Sequence, residues 1–438
     1  FIDGKSYKIT FDISDYTSGE LICRVNGDET KTFNSVGSHI LYFTSDNSFD
    51  FFYFKSQSNF TGSIDNVSVV EVNRDNLARI DYLDDAAGVL LTEPQSTNLI
   101  TDSNDFTQWV NTRSSDLGGF ISPTGETNGT KFISDNTASS THILKSSTFT
   151  ISSGQKHTYS VFLKANQLNF GLLMLTDSTV TNYISTYFDL LNGTIGQSVA
   201  SGAATFDSAN IENFGNGWYR CSVSGDLSTT TTASTRIYLS DSNNNATIDG
   251  DGIKSIYTFG VQVEELSYAT SYIPTEGVAA TRLADVVNNA GDVNNFNSEE
   301  GVLFVEASTL GNDVSRIITI KEKISSQDRM FLRFDANGTI TYRYYVGASI
   351  VINMVYSGIN PLENNKIACK WELNNFSLWV NGVKVDQDLS GAVKTPNTFN
   401  SLSLDEYSTI NSFYGKTKNI QVFDALLSDA ELITLTTI

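Results

Sequence analysis

The sequence predicts an all-β protein assembled from tandem jelly-roll or β-sandwich domains. Three observations carry this expectation. Short apolar–polar alternations with a period of two recur along the chain, turn dipeptides separate them, and helix signals are almost absent. Composition agrees. Charged residues are only 18% of the 438, so polarity comes from Ser, Thr, Asn and Gly, while 19 Tyr and 27 Phe suit half-buried pleated surfaces. Five prolines and 31 glycines exclude a collagen-like or Pro-rich stalk.

The elements fall into three β-rich blocks and two connectors. In block 1–72, Tyr7-Lys8-Ile9-Thr10-Phe11-Asp12-Ile13 alternates as a strand with one buried face. The run Phe49–Phe54 and the segment Ser63–Val70 add further strands, enough for a small sandwich whose opening strand is expected upstream of Phe1. The connector 73–97 is too apolar for a free linker and is expected to pack between its neighbours.

Block 98–274 carries strands at Thr158–Lys164, Thr186–Leu190, Trp218–Val223 and Ile256–Val263, bounded by turns such as Asn192-Gly193 and Asn216-Gly217. In the second connector, 275–296, residues Ala279–Val287 are expected to form a short helix. Block 297–438 reads most clearly. Met330–Asp335 and Thr339–Val346 alternate around Asn337-Gly338, and Trp371–Leu373 and Phe376–Val380 repeat the device around Asn374-Asn375, ahead of Asn381-Gly382. Ser428 with Glu431 three residues on forms a capping box that opens a terminal helix.

Charge and composition exclude several functions. The formal net charge is −21, which repels phosphate backbones and anionic lipid surfaces, so nucleic acid is not an expected partner. No apolar run approaches the roughly 20 residues of a membrane helix, so membrane insertion is not expected either. Cys23, Cys221 and Cys369 are few and far apart, implying small buried apolar side chains rather than a disulfide framework.

Three histidines, His39, His142 and His157, leave little for nucleophilic catalysis and read as polar turn or strand-edge residues. A glycosidase would place two carboxylates on one strand face, about 5–10 Å apart. Asp405-Glu406 and Glu264-Glu265 are adjacent and point to opposite faces, so no enzyme is expected and no cofactor is required.

Asp241-Ser242-Asn243-Asn244-Asn245 opens like a calcium loop, but Ala246 and Gly252 depart from the EF-hand pattern at its sixth and twelfth positions. Asp241, Asn243, Asp249 and Asp251 remain candidate calcium ligands, set against a solvated Asn/Asp/Gly loop. Trp371, Phe376, Leu378 and Val380 fit core faces, and Trp218 fits a plug between two sheets. Trp379 and Tyr345 point off the core faces, so they are expected to be exposed and are the candidate glycan platforms, set against packing or subunit contacts.

Longer strings carry a resemblance. Arg79-Ile80-Asp81-Tyr82, Leu90 through Ile100, and Asn104 through Trp109 form the first group. Tyr187–Leu190, Gly217–Arg220, Gly260–Glu264, Ala269–Pro274 and Ala280–Asp285 form the second. Together they resemble tailed-bacteriophage tail-fibre and virion structural proteins. The first block resembles carbohydrate-binding-module jelly rolls through Gly4–Tyr7 and Ile64–Val67. The third resembles laminin-G and concanavalin-A-like sandwiches through Lys370-Trp371, Leu378–Gly382 and Ala425–Glu431.

The resemblance implies a non-enzymatic protein on the virion surface, a tail fibre or receptor-binding segment that attaches to a host-surface glycan. Its implied partners are other virion proteins and two further copies of itself, as a homotrimer. It supplies no fixed set of binding residues. The alternatives are a structural or decoration protein that recognises no glycan, and an accessory carbohydrate-binding region of a secreted polysaccharide-acting enzyme. The acidic charge favours a neutral target, or one bridged by a cation.

Overall fold

The structure of the protein, a computed structural model, describes residues 1, 6–25, 29–44, 52–71, 77–83, 85–323, 327–406 and 411–438. Among the described residues strands dominate and helix is confined to Phe106–Gln108 and Asp429–Thr436, in keeping with the all-β expectation. The chain divides into two compact units, Phe1–Leu77 and Ala78–Ile438.

In the first unit, Tyr7, Ile9, Phe11 and Ile13 are buried while Asp12 faces out, as the alternation requires. The described residues form one four-stranded antiparallel sheet rather than the expected two-sheet sandwich. The 20-residue strand Ser6–Val25 pairs with Glu29–Phe33, Gly37–Thr44 and Phe52–Glu71. Bulges between Thr10 and Asp12 and between Ser14 and Glu20 bend the long strands. One face then gathers Ile9, Phe11, Leu21, Cys23 and Phe33. Residues 49–51 of the expected aromatic strand and Gly4-Lys5 lie outside the described residues.

The second unit holds two sandwiches. In the middle one, a six-stranded sheet runs Thr205–Asn213, Trp218–Asp226, Lys156–Ala165, Ser255–Glu264, Gly129–Ser134, Ser114–Phe120. It faces a seven-stranded sheet centred on Phe170–Asp177 and Thr232–Ser240. Phe132, Tyr159, Leu173, Phe188, Val223 and Ile237 fill the space between them. The four strands expected in this block are all present, each one to three residues longer at an end.

The C-terminal sandwich pairs a five-stranded sheet with a seven-stranded one. Trp371, Phe376, Leu378 and Val380 lie in its core, on the faces the alternation assigns them. Asn381 (φ 49°) and Gly382 (φ 85°) both occupy left-handed conformations, and such a turn matches the twist of the two strands it joins. The terminal helix Asp429–Thr436 starts at Ser428 with both halves of its capping box formed.

The first connector is structural. Arg79–Asp81 pairs with Val89–Thr92, which pairs with Gly415–Phe423, so this segment extends the C-terminal sandwich by two strands. The second connector departs from expectation: Ala280–Arg282 is a short strand on Ser96–Asn98, not a helix. A helix over 279–287 would need one apolar face to bury, but Leu283 and Val286 are exposed while Arg282 and Asp285 are buried.

That inversion has a cause. Glu93, 2% exposed, is held by Arg282 Nη1 at 2.7 Å, by Arg79, and by the Ser271 amide at 2.7 Å. Asp285 accepts from the Glu93 amide at 2.8 Å. Alongside, Glu264 accepts from Ser96 Oγ at 2.6 Å and from the amide and hydroxyl of Thr270. Asn98 spans the Val261 and Ile273 carbonyls at 3.0 and 2.9 Å and accepts from the Val263 amide. Residues 79, 93, 98, 264, 271 and 282 therefore converge on one buried polar joint between the two sandwiches. Lys416 to Glu212 (3.9 Å) and Arg316 to the Tyr268 hydroxyl (3.5 Å) extend the contact.

Candidate functional site

The two expected glycan platforms are covered. Trp379 does point off the core face, but it is 2% exposed because Leu432 of the terminal helix, Phe423 and Leu427 pack over it. Its indole nitrogen donates to Ser377 Oγ at 3.0 Å, and Lys384 Nζ lies 5.0 Å from the ring centre. Tyr345 is also on an outer face and is 8% exposed. The Arg329 guanidinium sits 4.0 Å over its ring, Phe331 packs beside it, and Glu406 fixes Arg329 at 3.2 Å. A period of two assigns a face correctly, but it carries no information about distant side chains that cover that face.

The candidate calcium ligands have separate partners. Asp241 accepts from Ser242 Oγ and Asn245 Nδ2, and Asn243 Oδ1 from the Gln197 amide at 2.7 Å. Asp249 accepts from the Ser139 amide at 2.7 Å, and Asp251 from the amides of Ile253 and Lys254. Among the described residues no three His, Cys, Asp or Glu side chains gather where they could hold a metal. The adjacent acids Asp405 and Glu406 are likewise divided, Asp405 to Lys321 at 3.0 Å and Glu406 to Arg329. His142 and His157 are buried rather than edge residues, and burial pushes the His157 pKa down. All three cysteines are buried, and burial pushes the Cys221 thiol well up.

A groove of about 400 Å³ flanks the terminal helix, lined by Phe423, Leu427, Ala430 and Thr434. It offers a polar ligand one carboxylate, Glu431, already committed to Ser428.

The outer face of the six-stranded sheet is different. Register places five side chains in one row across five strands: Leu117 opposite Lys131, Lys131 opposite Tyr257, Tyr257 opposite Lys164, Lys164 opposite Trp218. Partners in one register share a face, so the row is continuous. Tyr257, Lys131 and Lys164 are half-buried, whereas Leu117 is exposed. The Tyr257 ring is fixed by Phe120 at 5.1 Å and Trp218 at 6.4 Å between centres.

Trp218 is therefore not a plug between sheets. It lies on this outer face, buried by Phe162, Phe259, Phe214 and Tyr257. Gly260, at φ 62°, is what lets this cluster close: a Cβ there would stand 3.2 Å from the Phe162 and Tyr272 rings. In the next row Asn166 Nδ2 donates to Ser255 Oγ at 3.0 Å. Alternation within Ile256–Val263 could have assigned Tyr257 to the outer face. The register with Lys131 and Lys164 could not be read from sequence, because those strands are distant in the chain.

No family model matches this chain, and no curated protein matches it. Several solved structures are similar to parts of it at low scores. The Ruminococcus gnavus IT-sialidase CBM40 bound to alpha2,3 sialyllactose is 16% identical, aligning 35% of this chain with 94% of that one at a TM-score of 0.30. A heptameric SAP-like pentraxin from Limulus polyphemus is 13% identical, covering 34% of this chain and 74% of its own, with a TM-score of 0.28. Domains LG4-5 of the mouse laminin alpha1 chain are 11% identical over 80% of this chain and 92% of theirs, with a TM-score of 0.25. The neighbours are carbohydrate-binding-module and laminin-G-like sandwiches at low identity.

Proposed function

We propose that this chain is a non-enzymatic carbohydrate-recognition protein whose binding face is the outer surface of the six-stranded sheet around Tyr257. The observation that carries the reading is a half-buried tyrosine flanked in register by two lysines and braced by Phe120 and Trp218. Sugars present apolar C–H faces that stack on a fixed aromatic ring, while hydroxyls exchange water for polar side chains at the rim. Such a site is open and gains little per hydrogen bond, which favours weak single-site affinity strengthened by several copies acting together.

The resemblance of the strings at 79–109 and 260–285 to tail-fibre proteins supports a finer reading: attachment of a virion to a host-surface glycan, presented as a homotrimer alongside other virion proteins. The buried joint favours a second reading, a structural spacer with no glycan target, because it locks two sandwiches into one unit.

The test is a glycan array, paired with binding to intact cells, for the full chain and its Tyr257→Ala variant. Loss of binding in a variant that keeps the parent's unfolding midpoint supports the site. Unchanged binding removes this face, and no binding by the parent favours the spacer.

A further inference from the structure

The chain carries 49 acidic and 28 basic side chains, so most cations have carboxylates available to pair with. Lys131 and Lys164 do not use them. Neither has an ion-pair partner among the described residues. Both are nevertheless half-buried on one face, on either side of the same tyrosine. Strands lie about 4.8 Å apart, so the two lysine backbones stand about 10 Å apart with Tyr257 midway.

The carboxylates near this row are committed elsewhere. Asp116 accepts from Asn111, Asp251 from the amides of Ile253 and Lys254, and Glu212, one row away, faces Arg220 and Lys416. Lys164 is also held in place: its stem runs past Gly217, where a Cβ would lie 3.5 Å from its Cε. Lysine stems lie along apolar surface while their ammonium groups reach outward, so both positive charges open onto the face that carries Tyr257.

We propose that the ligand of this face is an anionic glycan, one whose carboxylate or sulfate groups meet Lys131 and Lys164 while a sugar ring stacks on Tyr257. This rests on the carbohydrate reading above and names its ligand class. It also reverses the expectation of a neutral target. Exposed charges farther away than the screening length, about 8 Å at physiological salt, are largely screened, so a bound anion feels the ammonium groups it touches rather than the net charge. An ammonium is a compact point charge rather than a planar fork, so the pair accepts either sulfate or carboxylate.

The experiment measures binding of the full chain to immobilised alginate (carboxylate), dextran sulfate (sulfate) and neutral dextran at 0.15 M salt. The parent, Lys131→Gln, Lys164→Gln, the double variant and Tyr257→Ala are compared. Lys145→Gln is the control, since it removes the same charge from a different sheet. The expected result is retention on at least one anionic matrix over dextran. Each lysine variant should weaken it about two- to fivefold and the double variant about tenfold, with Lys145→Gln unchanged. Dependence on one matrix alone identifies which anion the face takes.

Equal binding to dextran and the anionic matrices, or lysine variants that match the Lys145→Gln control, overturns the anionic ligand. If Tyr257→Ala still abolishes binding in that case, the carbohydrate site itself stands. Binding that survives Tyr257→Ala overturns both.

Discussion

Arg282 donates through Nη1 to Glu93 at 2.7 Å, with both side chains almost wholly buried, across the joint between the two sandwiches. The same guanidinium reaches the Pro94 carbonyl at 3.0 Å, and Glu93 also receives the Ser271 amide and Arg79. A buried pair of this kind adds little over a well-packed apolar contact, but leaving one partner alone is costly.

Arg282→Met should therefore lower unfolding free energy by about 1–3 kcal/mol, because Glu93 keeps its burial and Arg79 but loses its other counter-charge. Denaturant unfolding followed by tryptophan emission measures it. A loss under about 1 kcal/mol would show that the joint does not depend on this pair.

Leu432→Ala opens the cover over Trp379, since Leu432 is fully buried in the cluster that encloses the indole. The cost should be about 2–5 kcal/mol, and acrylamide quenching of tryptophan should rise. Adding Trp379→Phe should abolish the extra quenching. If quenching is the same in Leu432→Ala and the parent, the helix is not what buries this side chain.

The amide of Ser139 holds the Asp249 carboxyl below the usual carboxylate range, with the Ser139 hydroxyl adding to it. A lowered folded pKa means that the contact's contribution is present above the unfolded value, about 3.9, and is lost as pH falls through the folded value. Protection of the Ser139 amide from hydrogen exchange, corrected for intrinsic rates, should be flat above about pH 4 and fall below it. In Asp249→Asn that acid step should vanish; an unchanged step would assign it to another group.

Metal removal gives a separate test of the loop at 241–252. Its four candidate oxygens accept from four different sets of donors, so EDTA should leave the unfolding midpoint unchanged. A midpoint that rises with millimolar calcium would show that the loop rearranges to bind it.

Much of the fold was legible because it is local. Alternation at Tyr7–Ile13, the turn at Asn381-Gly382 and the capping box at Ser428 and Glu431 are set by residues a few positions apart, and all are present. The helix expected over Ala279–Val287 does not form, because Arg282 and Asp285 meet Glu93, about 190 residues away in sequence. Trp218 departs from its expected place for the same reason, since its neighbours Phe162 and Phe259 come from two other strands.

By itself the sequence determined the all-β class, the outward direction of Trp379 and Tyr345, and the turns that divide the strands. Tertiary structure alone decided which outward faces remain open. Trp379 lies under Leu432 and Tyr345 under Arg329, while Tyr257 stays half-exposed between Lys131 and Lys164. The reason is physical: side-chain direction follows from backbone geometry over two residues, but exposure depends on every element that can reach the same surface.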